Sequence, residues 1–192
     1  MLYISIIFSL LACVNRDLNE DQLLKFKKEI QQLKTESERD TFLARLFEQD
    51  QSIRNNGQWE LVIAKYGYDS KEHNDYSKAF FYENLEIFHQ LRLYLETHGY
   101  TKETTFYSDQ AKWTFPYVTG HHPSYEDQLH ILKLLVSAFK GELIPINDIV
   151  WIMSEMHEVK YKRIFDVGKE RYTVEDEFEG LVRKLDLGML FE

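Results

Sequence analysis

The stretch "NDYSKAFFYENLEIFHQLRLYLET", Asn74 to Thr97, sets Phe81, Leu85, Phe88, Leu91 and Leu95 at intervals of three and four residues. That rhythm lines one face of an α-helix, whereas a strand turns its side chains to opposite faces at every step. The segment is therefore read as the longest helix of the chain, with those five residues buried and Gly99 as its C-terminal stop. Only 8 Gly and 3 Pro interrupt 192 residues, and Leu, Lys, Glu and Gln are abundant. Both facts favour helices.

The same period recurs on either side. "LNEDQLLKFKKEIQQLK" places Leu23, Phe26, Ile30 and Leu33 on a narrow stripe. In "SERDTFLARLFEQDQSIR", Ser37 and Asp40 read as a cap pair ahead of inward-facing Phe42, Leu43, Leu46 and Phe47. A shorter helix through Trp59, Val62 and Ile63 lies between "NNG" and Gly67. Asp109 to Trp113 predicts another, ended by a loop that Pro116, Gly120 and Pro123 enforce.

Ser124 with Asp127 opens a helix burying Leu129, Leu132, Val136 and Phe139 before Gly141. Pro145 and Asn147 introduce one with Ile149, Ile152, Met153 and Met156 inward. "EVKYKRIFDVGKERYTV" alternates differently and turns at Gly168, which predicts a small β-hairpin near residues 159–174. Thr173 and Asp176 start a final helix with Val174, Phe178, Leu181, Val182 and Leu185 facing in. The expected fold is all-α: a single multi-helix domain over residues 17–192, with that one hairpin.

A chain of this length suits one domain with a real core and is short for two. Hydrophobic residues at 44% and charged residues at 29% are globular values. The net charge of −9 repels phosphate backbones, so nucleic acid is not an expected partner. One cysteine allows neither an internal disulfide nor a thiolate zinc cluster.

That cysteine ends the chain's apolar run, "LYISIIFSLLA" from Leu2 to Ala12. The run has the length of a signal-peptide core and falls short of the ~20 residues a membrane-spanning helix needs. Its ending, "LLAC", resembles the lipobox of bacterial lipoproteins, although no Lys or Arg precedes the run. The resemblance implies a signal peptide over 1–12, cleavage before Cys13, lipidation of its thiol, and a short tether over 13–16. Several acyl chains anchor where one binds only marginally. Val14 in place of an early Asp favours, by the same resemblance, the outer over the inner membrane. Cys13 is then an anchor rather than a nucleophile, and the expected location is the cell envelope.

A second resemblance covers roughly Phe42 to Val174. "DQSIR" (Asp50 to Arg54), "HH" at His121 and His122, and Gln128 in the next helix resemble an uncharacterised bacterial domain family. That family shows D-Q-x-x-R and Q-H elements, a following Gln, and a closing Y-G-T-Q. Here Gly120 and His121 stand before His122 where the family has Gln, and "RYTVE" replaces the last element. The resemblance supports the domain and implies no chemistry.

Asp50 and Arg54, four apart, can pair across one helical turn beside Gln51, a pairing usually worth a few tenths of a kcal/mol, roughly, when exposed. Arg54 with Gln51 could instead offer a fork to a carboxylate or sugar. Adjacent His121 and His122 point about 100° apart on a helix and to opposite faces of a strand, so one ion seldom takes both. "HEVKY" begins like H-E-x-x-H, yet Tyr161 stands where the second ligand belongs. Tyr100, Phe106, Tyr107, Trp113, Phe115, Tyr117 and Tyr125 flank the histidines with apolar bodies and polar tips suited to sugars or peptides.

The sequence contains no G-x-S-x-G, P-loop or G-x-G-x-x-G motif. The leading expectation is a non-enzymatic, membrane-anchored lipoprotein that binds an envelope protein or small ligand, without cofactor. Its candidate ligand-binding residues are Asp50, Gln51, Arg54, Trp113, Tyr117, His121, His122 and Gln128. The alternative is a metal-assisted periplasmic hydrolase using His121 or His122 with His157 and an acid.

Overall fold

The computed structural model describes residues 18–168 and 171–192. The signal peptide, Cys13 and the tether lie outside the described residues. Helices α1 (Glu20–Gln31), α2 (Glu36–Asn55), α3 (Gln58–Tyr66) and α4 (Lys71–His98) come first. A 3-10 turn (Lys102–Phe106) leads to α5 (Asp109–Gly120), α6 (Tyr125–Lys140), α7 (Ile146–Tyr161), α8 (Val174–Leu185) and the short α9 (Gly188–Phe191). The fold is all-α and forms a single domain.

Side-chain caps explain most starts. Asn19, Thr35, Ser70, Ser108, Ser124 and Thr173 each accept a hydrogen bond from a first-turn amide that has no partner inside its helix. At α2 and α8 the bond is returned, by Glu38 to Thr35 and by Asp176 to Thr173. Gly67 and Gly99 close α3 and α4 at positive φ, a region that suits glycine.

Helix α4 is the spine, touching α1, α2, α3, α5 and α6. Phe88, Leu91, Tyr94 and Leu95 on its inner side meet Ile30 of α1, Leu43 and Leu46 of α2, and Phe115 of α5 in one buried cluster. That cluster continues through Leu132 and Leu135 of α6 and Ile152, Met153 and Met156 of α7 to Leu181 and Leu185 of α8. Helices α2 and α5 pack most extensively, α5 lies on α7, and α7 on α8. Among the described residues no helix is long and apolar enough to cross a membrane.

Three sequence expectations are corrected. Helix α5 does not stop at Trp113: it runs through Pro116 to Gly120. An internal proline costs roughly 3 kcal/mol. Here Ala111, Thr114, Phe115, Val118 and Thr119 are all buried between neighbouring helices, and that packing outweighs the missing hydrogen bond. The cap of α2 is Thr35 with Glu38 rather than Ser37 with Asp40. Asp40 instead accepts from the Ser108 amide at 2.7 Å and its hydroxyl at 2.9 Å, fastening α2 to the start of α5.

The hairpin near 159–174 is not formed, and no strand occurs among the described residues. Helix α7 carries Val159 to Tyr161 onward, and Lys162 ends it at φ 57°. The following segment is pinned to helices rather than to a second strand. Arg163 gives its carbonyl to His157 Nδ1 at 3.1 Å, and Tyr161 donates to the Lys184 carbonyl at 2.8 Å. Phe165 lies so close over Gly180 that a Cβ there would sit 2.7 Å from the ring.

Candidate ligand-binding site

Asp50 lies one turn after Leu46 on the inward side of α2 and is fully buried. A lone carboxylate there would be costly, and both of its oxygens are engaged. Oδ1 accepts from Arg54 Nε at 3.2 Å and one Nη at 3.0 Å. Oδ2 accepts from Gln51 Nε2 at 3.0 Å and lies 2.8 Å from His121 Nδ1. Burial by itself would raise the acid's pKa. The His121 hydrogen bond and the Arg54 charge outweigh it and hold the carboxyl below its ordinary value. Arg54 also donates to Asn84 Oδ1 of α4 and lies 5.4 Å over the Phe80 ring.

The two adjacent histidines part company, as the geometry of neighbouring residues requires. His121 follows the last residue of α5 and reaches back to Asp50 with its side chain 20% exposed. His122 turns inward and lies tilted at 33° against Phe88 with ring centroids 3.8 Å apart. Its Nδ1 accepts from the Ser124 amide at 3.3 Å, which orders the turn into α6. Burial lowers its pKa to about 4, against the pull of Asp127, so the ring is neutral near pH 7.

Around His121 the end of α5 meets α6 and α7 at close range. Gln128, wholly buried, donates from Nε2 to the Gly120 carbonyl at 2.9 Å, while its Oε1 and the Thr119 hydroxyl find no partner among the described residues. Gly120 is needed for space: a Cβ would stand 2.9 Å from Trp151 Nε1 and 3.0 Å from Glu155 Cγ. Burial and nearby Glu158 lift Glu155 to about 7, with Arg54 pulling partway back.

An aromatic shelf runs from this point. Tyr117 sits edge-on to His121 at 5.8 Å, leans on Trp151 at 5.6 Å and on Phe47 at 5.6 Å, and Phe47 meets Trp113 at 5.7 Å. Trp113 and Trp151 are exposed, so the shelf faces water.

The structure thus gathers Asp50, Gln51, Arg54, Tyr117, His121 and Gln128, with Trp113 at the far end of the shelf. It sets His122 behind them in the core. His157, the other half of the alternative metal pair, is buried beside Tyr161 and Phe165. Among the described residues no group of three or more His, Cys, Asp or Glu side chains is placed to hold a metal ion. Of the remaining aromatics, Phe115 and Tyr107 are core, and Phe106 is 76% exposed away from any ring partner among the described residues.

Asn84, Trp151 and Glu155 were not foreseen. Asn84 falls on the apolar face of the expected long helix, one turn before Phe88, and is a buried polar residue among its apolar ones. Glu155 is one of 32 acids, and nothing in its neighbours marks it. The chain matches no family model, and no curated protein or solved structure is significantly similar to it.

Proposed function

We propose that the chain is a bacterial envelope lipoprotein, anchored through lipidated Cys13 at the outer rather than the inner membrane, whose helical domain binds an acidic sugar. We place the domain with the D-Q-x-x-R family that its "DQSIR" element resembles. One observation carries the ligand class. The buried Asp50 holds Arg54 and His121 side by side, at the end of a shelf of half-buried Tyr117 and exposed Trp151 and Trp113. Aromatic faces suit the apolar side of a sugar ring, and a guanidinium suits a carboxylate.

The test is a tryptophan-fluorescence and calorimetric titration with N-acetylmuramic acid, and with N-acetylglucosamine, which lacks the carboxylate. The acidic sugar should bind more tightly, with Trp151→Ala abolishing binding and Arg54→Gln removing the preference. Equal response to both sugars, or none, would overturn the ligand class. For the anchor, Cys13→Ser should release the protein from membranes and abolish its labelling by radioactive fatty acid. Unchanged fractionation would refute the lipoprotein reading.

A further inference from the structure

We propose that His121 is the general base of a hydrolytic site for a carboxylic ester carried on a sugar, with Arg54 facing the developing oxyanion and Glu155 protonating the leaving group. The inference rests on the reading that this cluster binds a sugar, and it adds an activity to it.

The geometry is a division of labour within one carboxylate. Asp50 Oδ2 fixes the imidazole through Nδ1 at 2.8 Å, which places a proton on Nδ1 and leaves Nε2 as the basic nitrogen. Nε2 meets no partner among the described residues, and the side chain is 20% exposed. Asp50 Oδ1 takes Nε and one Nη of Arg54, leaving the second Nη without a partner among the described residues. A base and a cation therefore present free edges from one rigid mount. Asp50 touches no reacting atom and is a positioning residue. Glu155 lies against Gly120, directly before His121, and forms no hydrogen bond among the described residues. Its carboxyl, lifted to about 7, still carries a proton near neutrality.

The steps close on themselves. Nε2 takes a proton from water as the water oxygen bonds to the ester carbon, and the carbonyl π pair moves onto its oxygen beside Arg54. That pair then re-forms the carbonyl, the bond from carbon to the sugar oxygen breaks, and the sugar oxygen takes the Glu155 proton. The imidazolium passes its proton to the Glu155 carboxylate. Ester and water have become acid and alcohol, and the protein is unchanged.

The test follows two probes with the purified full chain: 4-nitrophenyl acetate, whose leaving group needs no acid, and glucose pentaacetate, whose leaving group does. His121→Gln should lower both rates about a hundredfold. Glu155→Gln should lower only the second and abolish its decline above neutral pH. His130→Gln, half-exposed on another face, should leave both unchanged. A wild-type rate no higher than that of His121→Gln, or an equal fall with His130→Gln, overturns the proposal.

Carbethoxylation of wild-type protein, mapped by mass spectrometry, guards against a variant that fails to fold. Turnover should fall in step with modification of His121, and modification without loss overturns the base assignment. Asp50→Asn should erase the downfield Nδ1 proton resonance of His121; turnover lost with that resonance intact would deny Asp50 its positioning role. Binding of N-acetylmuramic acid without hydrolysis sinks this inference and leaves the binding reading. Hydrolysis of 4-nitrophenyl acetate without sugar binding sinks both the binding reading and the sugar-ester assignment.

Discussion

Asp50 on α2 and His121 at the end of α5 are 71 residues apart in sequence and meet at 2.8 Å. Breaking such a contact by removing the buried partner costs more than the contact itself contributes, because charge and donors are left unmatched. Asp50→Ala should therefore lower the unfolding free energy by about 3 kcal/mol. Urea denaturation measures it, and a loss below about 1 kcal/mol would mean that water replaces the carboxylate at little cost.

Gly120 permits the approach of α5 to α7. Gly120→Ala puts a methyl 2.9 Å from Trp151 Nε1 and 3.0 Å from Glu155 Cγ, so both side chains must move. Overpacking of this kind costs about 1–3 kcal/mol. Trp151 should report the shift as a change in emission, together with a lower melting temperature. An unchanged spectrum and melting temperature would contradict the close approach.

Stability should carry two opposed pH slopes. Glu155 has a folded-state pKa raised from 4.5 to about 7. Its contribution is therefore full below 4.5 and lost as pH climbs to about 7. His122 has its pKa lowered from 6.5 to about 4. Its contribution is full above 6.5 and lost as pH falls toward 4. The two partly cancel in wild type. Glu155→Gln should unmask the histidine, giving stability that rises steadily with pH across that window. A profile identical to wild type would show that Glu155 titrates normally.

His73 sits 3% exposed in a cage of Trp59 and Tyr68, with ring centroids 4.8 and 4.6 Å away, and neither of its nitrogens has a hydrogen-bond partner among the described residues. Replacing an unsatisfied polar ring by an apolar one of the same shape is neutral or favourable. His73→Phe should hold or raise the melting temperature, whereas His73→Ala should cost about 2–4 kcal/mol by leaving a cavity between α3 and α4. A strongly destabilised His73→Phe would reveal a polar role for the ring.

Much of the fold was legible because helix punctuation is local. Ser124 with Asp127, Thr173 with Asp176, and the stops at Gly67, Gly99 and Gly141 act through neighbours within a turn, so spacing alone exposes them. Pro116 misled because its local cost is visible in sequence while the burial that offsets it is not. The "HH" pair was readable as divergent, and the Asp50–Arg54 pair as a helical one. Its burial was not readable, since four residues of spacing fit a solvent-facing pair equally well. The partners that complete the site, His121 for Asp50 and Gly120 for Gln128, come from the way α2, α5 and α6 meet. Glu155 has its pKa raised by burial where α7 packs on α5, and by Glu158 on its own helix.

Since a single carboxylate serves Arg54 and His121 through separate oxygens, a change at either one is felt at the other. A substitution that draws Arg54 away removes the bonds on Oδ1 and should loosen the hold of Oδ2 on the imidazole at the end of α5. Directed evolution of this surface should consequently yield changes at positions 54 and 121 together, and seldom singly.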